Sequence, residues 1–405
     1  MSQAVDASSK VLKQGLVDLI SEEEFEERLR VSLKKKQPLR VKYGADPSAP
    51  DLHLGHTVPL RKLRQFQEYG HTVVFIIGDF TAQIGDPTQR TETRRMLFPA
   101  EVQANAQTYQ KQVFKILDPQ KTEVRYNSEW LAKMTPADFM RLTAQYTVAR
   151  LLERDDFQKR YQSNLPITLV EFLYPLLQGY DSVQVKSDIE LGGTDQKFNF
   201  LVGRDLQRSW GEKPQIVMTM PLIEGTEGIQ KMSKSLGNHI GIQESPREIF
   251  GKVMSIPDKL LERYYTYVSG FPQAEIQAIL QDLKAGALHP RDAKAQLAEG
   301  IVKLYHSAEE AVKARHEFDH VFKSKGLPEE IPTFKIAQHR MDIVSLLKEV
   351  NLVASKGEGR RLIQQGGVKI NQEKVNEIMM VLEIKGPLLI QCGKRKFARV
   401  EYAGG

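Results

Sequence analysis

The stretch from Leu39 to Ile77 leaves few folds open to this chain. Leu39-Arg40-Val41-Lys42-Tyr43 has the character of a strand, and Gly44-Ala45-Asp46-Pro47-Ser48-Ala49-Pro50 cannot be helical. Val58, Leu60, Leu63 and Phe66 then recur on one side of an amphipathic helix that Gly70 ends. Val73-Val74-Phe75-Ile76-Ile77 is apolar without alternation, as in a strand covered on both faces. Strand, loop, helix and strand make a βαβ unit, so a parallel sheet is expected, with ligands at the C-terminal edge of its strands. The full 405 residues exceed what one core holds and imply roughly two to four domains.

The polar residues follow that edge. In Asp51-Leu52-His53-Leu54-Gly55-His56 the two histidines stand at a helix N-terminus directly after a strand. Backbone N–H groups and the positive dipole end would hold a triphosphate there, and Gly55 lets it approach the backbone. The plain alternatives are a metal pair or two surface histidines. With one cysteine and no helical His-Glu partner motif, no protein-bound metal is expected. Gly78-Asp79-Phe80-Thr81-Ala82-Gln83-Ile84-Gly85-Asp86-Pro87 follows the buried strand, and Arg90, Arg94 and Arg95 follow it, either as a solvated loop or in reach of phosphate. Thr168 and Glu171 have capping-box spacing and open a helix that Pro175 should kink. On it Leu169, Phe172, Leu173, Leu176 and Leu177 form the apolar face. Tyr174, Gln178 and Asp181 share another face, which is the solvent face or the wall of a polar pocket; the motifs around it favour the pocket. Ile189-Glu190-Leu191 is a strand, and Gly192-Gly193-Thr194-Asp195-Gln196 turns out of it, with room for a flat ligand and an acid for ribose hydroxyls. Ile216-Val217-Met218 leads to Lys231-Met232-Ser233-Lys234-Ser235, in a loop bounded by Gly225, Gly228 and Gly237. Two lysines three apart among hydroxyls are commonly a solvated basic loop. About 180 residues after the paired histidines, they become a means of following a polyphosphate.

Elsewhere the residues speak mainly of structure. Residues 1–36 read as helix, with Ser21 and Glu24 at capping-box spacing. A helix over 100–117 ends at Asp118-Pro119, Val124-Arg125-Tyr126 is a short strand, and Ser128 and Thr135-Pro136 open further helices. Residues 118–160 interrupt the parallel pattern. The stretch 245–325 is helix-rich, and Gly326 to Pro332 reads as a linker. From Met341 to Gly405 there are 11 Lys and Arg against 7 Asp and Glu, so +4 of the chain's net +6 lies in a small terminal module. Its basic helix (Lys356, Arg360, Arg361) and hairpin tip (Lys394, Arg395, Lys396) suggest an RNA-facing surface rather than a solvated appendage. The single Cys392 excludes a disulfide framework within the chain and fits a reducing cytoplasm. No apolar run approaches the roughly 18 residues needed to span a bilayer, and the N-terminus carries no apolar leader.

His53-Leu54-Gly55-His56 and Lys231-Met232-Ser233-Lys234-Ser235 together match the two signatures of class I aminoacyl-tRNA synthetases. From about residue 35 onward, the order of the Gly-Asp-Pro turn, the Tyr/Gln/Asp helix, the Gly-Gly-Thr-Asp-Gln turn and the basic tail resembles the bacterial type of tyrosyl-tRNA synthetase. The resemblance implies an α/β fold: a Rossmann-like parallel-sheet catalytic domain over 1–240 (insertion at about 118–160, lysine loop 225–240), an α-helical anticodon-side domain over 241–325, a linker over 326–340, and a small ribosomal-protein-type α+β RNA-binding module over 341–405. It implies ATP-dependent activation of L-tyrosine with release of pyrophosphate, transfer to the 3′ end of tRNA(Tyr), Mg²⁺ accompanying the ATP, a homodimer and a cytoplasmic location.

The same resemblance implies a role for each site residue. Asp181 accepts from the tyrosine phenol. Tyr174, Gln178 and Asp86 hold the α-ammonium. Asp46 lies near the reacting carboxylate, and Gln196 near the carboxylate and nucleoside. His53 and His56 contact ATP with Gly44, Gly55, Gly192 and Asp195. Lys231 and Lys234, with Met232, Ser233 and Ser235, close over pyrophosphate, and Arg90 and Arg94 assist. One departure stands out: four residues before Asp46, where the best-known members carry a phenol-binding tyrosine, this chain has Lys42. Side chains alternate along a strand, so Lys42 and Tyr43 cannot both face the pocket, and Lys42 is expected to point in. Three other readings are a tryptophanyl or other class I synthetase, a nucleotidyltransferase with an H-x-G-H motif, and a synthetase-like RNA-binding protein without catalysis. The candidate dimer surface is the amphipathic stretch from Thr135 to Leu152.

Overall fold

In the computed structural model the described residues are 2–47, 51–87, 99–323, 331–384, 386–393 and 396–403. They form two compact units, Met1–Ala308 and Glu309–Gly405. The first is built on a six-stranded sheet of β1 (Asp18–Ile20), β2 (Arg40–Ala45), β3 (Thr72–Ile77), β4 (Thr122–Tyr126), β5 (Ile189–Gly193) and β6 (Ile216–Met220), in the order β1-β6-β5-β2-β3-β4. All neighbours are parallel except β1, which runs antiparallel to β6. The sequence of strands reverses direction between β2 and β5. Open α/β sheets of this kind leave a crevice at that point, beyond the carboxyl ends of the strands.

The apolar run Val73–Ile77 is buried on both faces, as its lack of alternation requires. Three helices shape the crevice and its support: α1 (Leu54–Glu68), α2 (Leu169–Gln184) and α3 (Lys197–Ser209). Helix α2 lies on α3 so closely that a Cβ on Gly179 would stand 3.1 Å from the Gly203 nitrogen. Leu176, Leu177, Val202 and Leu206 bury that contact with Val74 of β3 and Trp130. Thr168 and Glu171 form the predicted capping box. Helices Pro246–Met254, Leu261–Tyr267, Gln273–Ala285 and Pro290–Tyr305 also belong to this unit, the first opened by a Ser245–Glu248 capping box.

The structure corrects several expectations. Residues 1–36 are not helix throughout: Gly15, at φ +76°, interrupts it, and Asp18-Leu19-Ile20 pairs with Val217–Thr219. Ser21 does cap the following helix, accepting from the Glu24 N–H, but the Glu24 carboxylate turns to Arg204 at 3.1 Å. The interruption expected from residue 118 begins later, because Thr122–Tyr126 joins the sheet parallel to β3. Leu169, expected on the buried face of its helix, is 82% exposed.

In the second unit a five-stranded sheet runs in the order Glu373–Lys374, Val368–Ile370, Leu388–Cys392, Lys396–Tyr402, Thr333–Ile336. Thr333–Ile336 pairs in parallel with Arg399–Tyr402, so part of the expected linker 326–340 is a strand. Helices Ile343–Glu349 and Lys356–Gln364 cover an apolar core that includes Leu347, Ile363, Ile390 and Val400.

Candidate active site

A cavity of about 800 Å³ opens at the carboxyl ends of β2, β3 and β5. Gly44-Ala45-Asp46, Gly78 and Gly192-Gly193 form its floor, α2 one wall, and the lysine loop another. Tyr174, Gln178 and Asp181 all line it, so the polar row of α2 is the pocket wall and not a solvent face. Tyr174 and Asp181 are buried, at 6% and 4% exposure.

Each carboxylate on this side is held by donors. Asp46 accepts from the Tyr174 hydroxyl at 2.9 Å and from Thr81 Oγ1 at 2.8 Å. A Cβ on Gly78 would come within 2.1 Å of Asp46 Oδ1, so that glycine makes the arrangement possible. Asp181 accepts from Trp130 Nε1 at 2.8 Å and Asn127 Nδ2 at 3.3 Å. Burial pushes its carboxyl up to about 7; the Lys42 charge and these two hydrogen bonds pull the other way. Asp86 accepts from Gln196 Nε2 at 2.7 Å and lies 3.4 Å from Arg154. Gln178 Oε1 accepts from Asn199 Nδ2 at 2.8 Å. Thr81, Asn127, Trp130 and Asn199 are not evident as site residues from the sequence. Asn127 directly follows β4 and Trp130 stands in the short helix Ser128–Leu131 after it, so the same strand-edge rule that points to Asp46 and Asp195 also reaches this segment.

Lys42 does not point into the cavity. It is fully buried beneath it, and its Nζ lies 2.7 Å from Glu190 Oε1 while donating to Ser182 Oγ at 2.7 Å and the Gln178 carbonyl at 2.8 Å. Tyr43 lines the cavity instead, stacked on Phe75. The side chains do alternate, with the two faces exchanged. An ammonium buried in this way is satisfied by a carboxylate on the next strand, and Lys42 stands opposite Glu190 in the β2–β5 register.

On the other side, His53 and His56 open α1. The His53 N–H donates to His56 Nδ1 at 3.2 Å, which leaves the His56 ring proton on Nε2. Burial, and then the lysine charges, hold His56 down at about 4. His53 is likewise held well below its ordinary value, first by burial and then by His56. Both rings are therefore neutral donors or acceptors at pH 7. His53 Nδ1 is buried without a hydrogen-bond partner among the described residues. Gly44 faces open space, whereas a Cβ on Gly192 would strike the Phe200 ring at 2.6 Å. Asp195 and Gln196 line the cavity.

The lysine loop closes this side. Lys231, Met232, Ser233 and Ser235 line the cavity. Lys231 Nζ is 3.1 Å from Asp195, and Lys234 Nζ is 2.8 Å from Asp51. Asn238 Oδ1 accepts from the Ser233 N–H at 2.8 Å, which pins the loop's centre. Arg90 and Arg94 lie outside the described residues, as do Lys394 and Arg395. In the second unit Lys356, Arg360 and Arg361 are exposed on one helix. Lys396 is exposed too, although its Nζ donates to the Leu352 carbonyl at 3.1 Å.

Residues 34–323 match the family described as tRNA synthetases class I (W and Y). Residues 324–400 match the tyrosine–tRNA ligase SYY-like C-terminal domain. The tyrosine–tRNA ligase of Moorella thermoacetica is 53% identical over 400 residues, 99% of this chain and 97% of that protein. That of Thermotoga maritima is 54% identical over 391 residues, 96% of each. Among solved structures, a tyrosyl-tRNA synthetase from Archaeoglobus fulgidus complexed with L-tyrosine matches in fold, with a TM-score of 0.63 at 21% identity, covering 77% of this chain and 99% of that one.

Proposed function

The chain belongs to the class I tRNA synthetases of the tryptophan and tyrosine group and acts as a tyrosine–tRNA ligase, and we propose a division of labour among the residues of its cavity. The tyrosine carboxylate attacks the α-phosphorus of ATP, the bond to the β-phosphate oxygen breaks, and pyrophosphate leaves. The nucleophile is already ionised, so no general base is needed. Catalysis rests on positioning and on stabilising the departing charge. Asp181 accepts from the phenol. Tyr174, Gln178 and Asp86 surround the α-ammonium, with Asp46 beside the reacting end. Asp195 and the Gly192-Gly193 turn take the ribose. His53 and His56 donate hydrogen bonds, not charge, to the phosphates. Positive charge comes from Lys231 and Lys234, which exchange Asp195 and Asp51 for pyrophosphate, helped by Arg90 and Arg94. Magnesium arrives as part of the nucleotide substrate.

One observation carries the tyrosine reading: a deeply buried carboxylate, Asp181, ends the polar row of α2 inside the cavity, whose lining also includes Tyr174, Ile76 and Leu191. When phenylalanine enters, this buried carboxylate keeps only its two protein donors and lacks the one that the phenol would add. Discrimination of about 10⁵ against phenylalanine is a known property of tyrosyl enzymes as a class, not a magnitude obtained from this geometry. A ribose hydroxyl of the terminal adenosine of tRNA then attacks the acyl carbon of the tyrosyl-adenylate, the mixed-anhydride bond breaks and AMP leaves, with the exposed Lys356, Arg360 and Arg361 of the second unit, and the tip of its hairpin, on the RNA. A second copy of the chain completes the enzyme through the exposed apolar side chains between 140 and 169. The reaction belongs to the cytoplasm, where its substrates are. Exchange of labelled pyrophosphate into ATP, without tRNA, tests the first step. Exchange with tyrosine but not with tryptophan or phenylalanine is expected; exchange with tryptophan would mean that the α2 row is misassigned.

A further inference from the structure

Beneath the amino-acid wall lies a charged network that touches no reacting atom but reaches the wall itself, where Gln178 Nε2 donates to Glu190 Oε1 at 3.5 Å. Lys42 and Glu190 are 0% and 1% exposed and face each other across the β2–β5 junction, where the sheet reverses direction. Lys42 Nζ donates to the Gln178 carbonyl at 2.8 Å and to Ser182 Oγ at 2.7 Å, two positions of α2 that bracket Asp181. Ser182 Oγ donates in turn to Glu190 Oε2 at 3.2 Å, and Gln215 Nε2 donates to the same oxygen. A Cβ on Gly203 would stand 2.7 Å from Gln215 Nε2 and 3.3 Å from Glu190 Oε2, so α3 leaves that space to the network. Strands β2 and β5, the entry to β6 and helix α2 are therefore tied at one point, directly under the residues that meet the substrate.

An ion pair withdrawn from water is a poor source of stability compared with apolar side chains of the same volume; fixing one arrangement is a better-attested use. We propose that Lys42 and Glu190 are positioning residues for amino-acid selection: by holding the Gln178–Ser182 turn of α2 against the β2–β5 junction, they set where Asp181 and Gln178 stand and so how well the site separates tyrosine from phenylalanine. This rests on the tyrosine reading of the cavity. The pair touches no reacting atom. Its loss changes recognition of the amino acid and leaves the phosphate side alone.

The test replaces both charges together, Lys42→Met with Glu190→Gln, so that neither is left buried alone. In pyrophosphate exchange the KM for tyrosine rises about tenfold and the tyrosine-to-phenylalanine ratio of kcat/KM falls by at least as much, while the KM for ATP and kcat at saturating tyrosine stay within about twofold. Lys42→Arg, which keeps the charge, recovers part of the ratio. Ser182→Ala removes one tie without touching a charge and gives the same split at about threefold, which keeps the idea testable should the double variant not fold. Variants that lose thermal stability but keep the wild-type tyrosine-to-phenylalanine ratio overturn the proposal and make the pair merely structural. A wild-type protein that shows no tyrosine-dependent exchange overturns the tyrosine reading itself, and the proposal with it.

Discussion

At the residue scale, Asp181 carries the clearest consequence. Its carboxyl is pushed up to about 7 by burial, against about 3.9 for an unfolded aspartate. Between those values the folded protein keeps a proton that the unfolded chain releases. The associated stability is full below the unfolded value and is lost as pH rises to about 7. The empty protein should therefore unfold more easily in urea at pH 8 than at pH 5, by a few kcal/mol at most, since each unit is worth about 1.4 kcal/mol. Asp181→Asn should flatten that difference. Substrate recognition runs the opposite way: the phenol donates best to an ionised carboxylate, so kcat/KM for tyrosine should rise with pH through about 7. One group thus predicts two slopes of opposite sign in one window. A urea midpoint that ignores pH, together with an acid limb that survives in Asp181→Asn, would place the titration elsewhere. The histidines add a contrast. His56, held at about 4, should show no titration near neutrality in the free protein.

At the scale of elements, the lysine loop rests on two acids, Asp195 for Lys231 and Asp51 for Lys234. If these lysines act on pyrophosphate only as it leaves, Lys234→Ala should lower kcat for exchange by on the order of 100-fold or more and leave the KM for tyrosine unchanged. A raised tyrosine KM with normal kcat would assign the loop to ground-state binding. The contact of α2 with α3 makes a separate prediction. Gly179→Ala forces a methyl against the Gly203 backbone at 3.1 Å and against Leu206 at 2.9 Å, and should cost about 1–3 kcal/mol, read as a lower Tm. These elements also show where sequence is informative. The βαβ unit and the Thr168–Glu171 capping box follow from periodicity and local hydrogen bonding, which short stretches record, whereas the cavity-facing side of α2 follows from the motifs around it and the reciprocal half of the Ser21–Glu24 box is lost to Arg204. The direction of Lys42 does not, because its partners, Glu190 and Ser182, lie some 140 residues away, and a strand's alternation does not say which face is the pocket. Asp18–Ile20 escapes detection because three residues carry too little pattern, and its pairing with β6 is a contact across the whole fold. Asn127 and Trp130 support Asp181 from the end of a short strand whose place in the sheet is not written in its own residues.

At the scale of the whole molecule, the proposed placing of tRNA on the second unit can be separated from the chemistry of the first. Substituting Arg360→Ala with Arg361→Ala on the exposed helix of the second unit should weaken tRNA charging and its salt dependence while pyrophosphate exchange stays at the wild-type rate. Equal loss of both reactions would count against an RNA-facing role. The other question is how many chains make the enzyme. Met140, Val148, Tyr161, Leu165 and Leu169 are 72, 60, 64, 42 and 82% exposed, all within thirty residues of one another. Scattered apolar side chains on a surface need no explanation, but a run of large ones points to a partner. The helix Pro136–Thr143 also packs on α2, whose first residue is Leu169, so two of these side chains sit on elements already in contact. Leu169 begins the very helix that carries Tyr174, Gln178 and Asp181, so a second copy seated there would brace the amino-acid wall. Charging that surface with Met140→Glu and Leu169→Glu should cost the single chain little, because both side chains are already in water. The same change buries two unpaired charges in a dimer and should raise its dissociation constant by several orders of magnitude. Light scattering at micromolar protein should then show a dimer for the wild type and a monomer for the variant, with exchange activity falling as the dimer is lost. A variant that remains dimeric would move the interface to another face. A wild type that is monomeric and fully active would remove the need for a second copy.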